Sequence, residues 1–287
     1  MTLQIRILCP LLLAFALSAL PLSSMTLTGS DLLGPAVQKA LQDQLDAAGL
    51  DVELAFGGSL MAMQELQEGT ADAAILAVPG NDSSPSGRSF PFCFQIVALA
   101  VHTNNPVSEL TYSQLTNIFE QDGVLSNWSD LTAALEWRDR KISLWAVRSK
   151  SAITLEIFNA VVLQGSPLKD SVRYTGNNTE ELQALIVENP TALIAAPAIP
   201  LTPSIRFLGV KIEESGQAYT PSEDNVLFGD YPLRLPFYLT VQDTLSDEDL
   251  GKLVKAIYSP EVTAALRSVN YMPVPETERQ SLLAEFE

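Results

Sequence analysis

Between residues 27 and 78 the hydrophobic period of this chain alternates, reading helix, strand, helix, strand, and that alternation limits the possible fold more than any other feature. Residues 32–48 are amphipathic, with Leu33, Val37, Leu41 and Leu45 four apart and Gln38, Gln42 and Asp46 between them. Ser30 or Asp31 suits the N-cap of this helix, and Gly49 suits its stop. Residues 51–56 alternate as a strand. Gly57-Gly58-Ser59 then opens a second helix, residues 60–68, closed by Gly69. Residues 73–78 are wholly apolar, as a parallel strand buried on both faces requires. The pattern predicts an α/β fold. It also places two Ser/Gly turns at strand ends, where parallel sheets hold ligands.

The same alternation continues. Residues 95–102 read as an apolar strand, broken by Asn104-Asn105-Pro106-Val107. Thr111 caps a helix that carries Leu115 and Phe119. Residues 142–147 form a strand, and a polar turn from Arg148 to Thr154 feeds a helix through Leu163. Asn178 caps a helix to about Glu188, residues 192–196 form a short buried strand, and residues 235–241 form another. Ser246 caps a helix to about Tyr258, and residues 260–287 read as helical and peripheral.

Residues 1–24 fit a secretory signal: Arg6 is the only charge, and an apolar run is followed by the small residues Ala19, Ser23 and Ser24. The run is shorter than the ~20 residues of a spanning helix and is interrupted by Pro21. The expected product is an exported, periplasmic or secreted protein. Beyond the leader only Cys93 remains of two cysteines, in an aromatic setting that fits a buried thiol. With 17 basic against 34 acidic residues the net charge is −17, which disfavours nucleic acid and anionic membrane surfaces. A single histidine disfavours zinc, haem and histidine-based catalysis, and no nucleophile elbow or phosphate loop occurs, so neither enzyme chemistry nor a cofactor is expected.

Several short segments recur in a fixed order: Leu27-Thr28-Gly29-Ser30-Asp31, Phe56-Gly57-Gly58-Ser59, Gly69-Thr70-Ala71-Asp72, Asn105-Pro106-Val107, Arg148 to Thr154, and Gly229-Asp230-Tyr231-Pro232-Leu233. In this order they resemble the phosphate-binding periplasmic proteins of ABC transporters. The resemblance implies a type 2 periplasmic binding protein fold with two lobes, each a central, mostly parallel sheet flanked by helices. Lobe one would be residues 25–98 with 235–287, and lobe two residues 99–234. It implies a monomer that captures inorganic phosphate or a similar oxyanion without metal and hands it to a transporter permease.

Carried onto this chain, the resemblance puts Ser59 at the family's Gly-Ser hydroxyl, Arg148 at its anion-binding arginine and Thr154 at the end of its Ser-Gly-Thr turn. Read simply, Ser59 and Thr154 are also helix caps, and Arg148 a solvated strand-end arginine. Other positions depart. Leu32 replaces a threonine, Ala77 a carboxylate, and Ala152 and Ile153 the serine and glycine of the turn. A shifted pairing would bring in Asp31 or Ser151, and Ser30, beside Asp31, stands with them among the expected ligand residues. The departures leave a second reading open, a degenerate binding-protein fold serving as an exported sensory or accessory module without phosphate affinity.

Overall fold

The computed structural model describes residues 24–79, 87–149 and 153–286. Strand β1 (Met25–Gly29) leads to helix α1 (Pro35–Ala47), then β2 (Val52–Ala55), α2 (Ser59–Glu68) and β3 (Ala73–Ala77). The order is the one the hydrophobic periods predict. Leu33, Val37, Leu41 and Leu45 are fully buried, which is what a four-residue spacing on one helical face demands. Gly49 and Gly69 both adopt φ of +72°, a conformation that admits glycine freely and stops each helix.

The start of α1 corrects the sequence reading. Neither Ser30 nor Asp31 caps it. The cap is Gly34, with no side-chain bond, and Pro35 occupies the first turn. Proline fixes φ near its helical value and lacks only an N–H that would have no partner there, so it sets the boundary.

Strand β4 (Arg88–Ile96) and strand β5 (Ala98–His102) replace the single strand expected at 95–102. The apolar run is continuous because both strands are buried. The break is made by hydrogen bonds instead: the Val97 N–H donates to the Leu233 carbonyl at 2.9 Å, and the Tyr231 hydroxyl donates to the Val97 carbonyl at 2.5 Å. Next come β6 (Glu109–Thr111) and α3 (Tyr112–Phe119), joined by a capping box between Thr111 and Gln114. β7 (Ser143–Val147) precedes α4 (Thr154–Phe158), which runs on as a wider turn through Leu163. β8 (Arg173–Thr175), α5 (Thr179–Glu188), β9 (Ala192–Ala196), β10 (Ile205–Phe207) and β11 (Gly209–Lys211) follow, with Asn178 capping α5. The chain ends with α6 (Glu223–Phe228), β12 (Arg234–Val241), α7 (Asp247–Ile257), α8 (Pro260–Ser268), β13 (Met272–Pro273) and α9 (Glu276–Ala284).

Six strands form a first sheet in the order β13-β4-β12-β3-β1-β2, and five form a second, β10-β5-β9-β7-β8; β11 and β6 pair separately. The fold is α/β and two-lobed. Its sheets are less parallel than expected. Pairs β1/β2, β1/β3, β7/β8 and β7/β9 are parallel, while β3/β12, β12/β4, β4/β13, β5/β9 and β10/β5 are antiparallel. The reason is connectivity. The chain leaves the first sheet through β4 and returns through β12, so these neighbours run in opposite directions.

The C-terminal region is not peripheral. Val262 and Leu266, four apart on α8, are buried, Tyr271 is buried, and β13 forms an edge of the first sheet. Cys93 is fully buried on β4, and that burial pushes its thiol pKa well up. Among the described residues no helix is long and apolar enough to cross a membrane.

Candidate functional site

The carboxyl ends of β1, β2 and β3 lie on one edge of the first sheet because the three strands are parallel. Three bonds tie these ends together. The Ser30 N–H donates to the Ile75 carbonyl at 2.8 Å, the Gly58 N–H to the Gly29 carbonyl at 3.0 Å, and the Ala77 N–H to Ser59 Oγ at 2.9 Å. Glycine is required at position 29: a Cβ there would lie 2.6 Å from Phe56 Cε1 and 2.8 Å from the Ile75 carbonyl oxygen. Gly58 has φ of +123° and places Ser59 as the first residue of α2. The Ser59 hydroxyl accepts from Ala77 and keeps its own proton to donate. The first N–H groups of α2 have no partner within the helix, as at any helix start.

Asp31 is exposed and sits beside this turn, its Oδ1 3.8 Å from where a Cβ on Gly58 would stand. Ser30 is buried, and its Oγ accepts from the Leu32 N–H at 3.4 Å, so its hydroxyl shapes its own loop. Ser30, Asp31 and Ser59 are therefore neighbours, as an anion site built on this edge needs.

The second sheet repeats the arrangement. β7 is parallel to both β8 and β9, and the Arg148 N–H donates to the Thr175 carbonyl at 2.9 Å where β7 and β8 end. The Arg148 guanidinium carbon lies 3.6 Å from the centroid of the Tyr174 ring. Thr154 is the first residue of α4 and is buried, and Ile153 packs against the core. Ser151 and Ala152 lie outside the described residues.

Two adjacent residues join these regions. Tyr271 donates its hydroxyl to the Leu32 carbonyl at 2.8 Å, in the loop after β1. Burial raises the Tyr271 pKa, so the group remains a donor. Asn270 donates its Nδ2 to the Asn177 backbone and side-chain oxygens, each at 3.0 Å, in the loop after β8. Its Oδ1 accepts from Thr179 Oγ1 at 3.1 Å. One strand-end loop of each sheet, the loop after β1 and the loop after β8, thus meets at Asn270-Tyr271. Sequence reasoning missed this pair, as it missed Tyr174 and Phe56. Asn270 follows a helix and adopts φ of +61°, a conformation asparagine tolerates better than most residues, but its role comes from a tertiary contact that the sequence does not mark. Tyr174 had no signal, since the three-residue strand that carries it was not read from the sequence. Among the described residues no group of three or more His, Cys, Asp or Glu is placed to hold a metal.

Comparison with known proteins settles the family. The model described as a PBP superfamily domain matches residues 18–256. This chain belongs to the PBP superfamily. It is a divergent member related to phosphate-binding periplasmic proteins. Over 256 residues it is 21% identical to the phosphate-binding protein PstS of Pseudomonas aeruginosa, covering 82% of this chain and 78% of that one. Among solved structures, a possible phosphate-binding protein from Planctomyces limnophilus has a TM-score of 0.64 at 17% identity, with 92% of this chain and 98% of that chain covered. An ABC-type phosphate transport receptor from Vibrio cholerae has a TM-score of 0.56 at 20% identity, covering 87% and 99%. At these identities the structural likenesses establish this PBP member's fold, not its ligand.

Proposed function

We propose that this protein is an exported solute-binding protein that holds a phosphate-like oxyanion between two lobes and delivers it to an ABC importer. The observation that carries the reading is Arg148. It stands at the carboxyl end of parallel strands, and among the described residues it enters no ion pair. A planar guanidinium in that state matches an oxyanion fork to fork. Lobe one comprises residues 25–98 and 235–287 and lobe two residues 99–234, with residues 1–24 removed as a leader and the mature protein a monomer. Ser59 and the open start of α2 supply donors from lobe one; Arg148, Thr154 and Ser151 supply them from lobe two. Asp31, beside Gly58, is the carboxylate that accepts a hydrogen bond from a protonated ligand oxygen, in place of the carboxylate that Ala77 replaces. No catalytic role is assigned.

A second reading is favoured by two observations. Leu32, Ala77, Ala152 and Ile153 are apolar or small where the resemblance implies a threonine, a carboxylate and a Ser-Gly pair. Leu60, Met61 and Met63 expose an apolar face on α2, beside the same edge. An exported accessory module would use such a face for a partner.

Titration calorimetry of residues 25–287 with inorganic phosphate, after exhaustive dialysis, separates the two. Saturable binding at micromolar affinity or tighter supports the transport reading. Absence of heat with phosphate, sulfate, arsenate and molybdate sinks it and leaves the accessory module.

A further inference from the structure

Arg148 and Tyr174 are placed by one register. β7 and β8 run parallel with Ala146 opposite Tyr174, and Arg148 follows Ala146 by two residues, so it projects from the same side of the sheet. The backbone bond from Arg148 to Thr175 fixes the two strand ends against each other. The result is a guanidinium stacked at 3.6 Å on a ring whose own strand is hydrogen-bonded to the Arg148 backbone.

Stacking and hydrogen bonding use different parts of a guanidinium. The ring takes one flat face. The N–H donors point outward in the guanidinium plane and stay available. This matters in a chain with 34 acidic residues, where an exposed arginine has many carboxylates within reach of its long side chain. A carboxylate partner would occupy the fork that a ligand needs. An aromatic partner orders the same side chain without occupying it.

We propose that Tyr174 is the positioning residue for Arg148: its ring holds the guanidinium flat, with the N–H fork presented to a tetrahedral oxyanion. The inference rests on the oxyanion reading above and adds a residue to it. Arg173 provides an internal control. It lies one residue away on β8, projects from the opposite face, and stacks over Trp145 at 5.1 Å.

The experiment is calorimetric titration of phosphate and of sulfate into the mature protein and four variants, with far-ultraviolet circular dichroism to verify folding. Arg148→Ala weakens binding by roughly 30-fold or more, since the ligand charge loses its charge-assisted bonds. Tyr174→Ala weakens it about fivefold, the contribution of an exposed cation–π stack. Tyr174→Phe keeps the ring and stays within about twofold of the parent. Arg173→Ala leaves affinity unchanged. Tyr174→Ala binding as tightly as the parent while Arg148→Ala fails would overturn the stacking inference and leave the oxyanion reading standing. Equal losses in Tyr174→Phe and Tyr174→Ala would overturn it too, by assigning the effect to the hydroxyl. No heat from the parent protein with either anion overturns both readings together.

Discussion

The Thr179 hydroxyl donates to the Asn270 side-chain oxygen at 3.1 Å, joining the first turn of a helix packed on the second sheet to a turn that leads into the edge strand of the first. The same asparagine spends its amide on Asn177, and its neighbour Tyr271 reaches Leu32. Two consecutive residues thereby tie the loop after β1, which carries Ser30 and Asp31, to the loop after β8, the strand that pairs with the one Arg148 follows.

Replacement of Asn270 by glycine keeps the φ of +61° accessible and removes the side-chain bonds. The expected cost is about 1–3 kcal/mol of stability, from buried polar groups left without partners. The radius of gyration measured by small-angle X-ray scattering should increase as the two sheets separate. A variant with unchanged scattering and an unchanged urea midpoint would show that the bridge holds nothing.

Gly29→Ala places a methyl against both the Phe56 ring and the Ile75 carbonyl. Such crowding costs about 1–3 kcal/mol. The Phe56→Leu change should recover part of the loss, because a flexible side chain can yield where the carbonyl cannot. A double-mutant cycle in urea measures the coupling. Strict additivity would mean the ring is not the obstacle.

Tyr231→Phe removes the donor to the Val97 carbonyl, at the point where β4 gives way to β5. Tyr231 is fully buried, so the carbonyl gains no water in exchange. The predicted loss is about 1–2 kcal/mol, read from the shift in urea midpoint.

Burial raises the pKa values of the Cys93 thiol and of the Tyr112, Tyr231, Tyr258 and Tyr271 hydroxyls. The unfolded chain ionises these groups at their ordinary values, about 8.5 for a thiol and about 10 for a phenol, while the folded chain keeps them protonated. Their contribution is intact below those values and is lost as pH rises beyond them, by up to about 1.4 kcal/mol per pH unit for each group. Urea melts between pH 8 and pH 11 should therefore show falling stability on the alkaline side. Tyr231→Phe should make that decline shallower. A flat profile would contradict the burial of these side chains.

Much of this fold was legible because single faces dictate it. The Leu33, Val37, Leu41 and Leu45 spacing gave α1 its buried stripe, and the Thr111 and Asn178 caps marked the starts of α3 and α5. What sequence could not show was pairing between distant segments. The break at Val97 is made by Tyr231 and Leu233, more than a hundred residues away, and an apolar run carries no mark of it. The α1 boundary went to Pro35 over Ser30 and Asp31 because a fixed φ outranked a capping oxygen. The candidate site was legible as separate pieces, such as Ser59 and Arg148. Tyr174 and Asn270 were not, because their roles come from register and from a tertiary contact rather than from residue type.

The position of β12 between β3 and β4 has a consequence for how the molecule is made. β3 pairs with β1 on one side and with residues 237–241 on the other. Until that stretch of chain has emerged, β3 presents an open, apolar edge, the kind of surface that invites wrong pairing. Everything from β5 to α6 is synthesised in that interval and can organise first around its own sheet. The first sheet, though it holds the earliest described strand, is the last to close, and any chain truncated before Arg234 leaves that edge exposed.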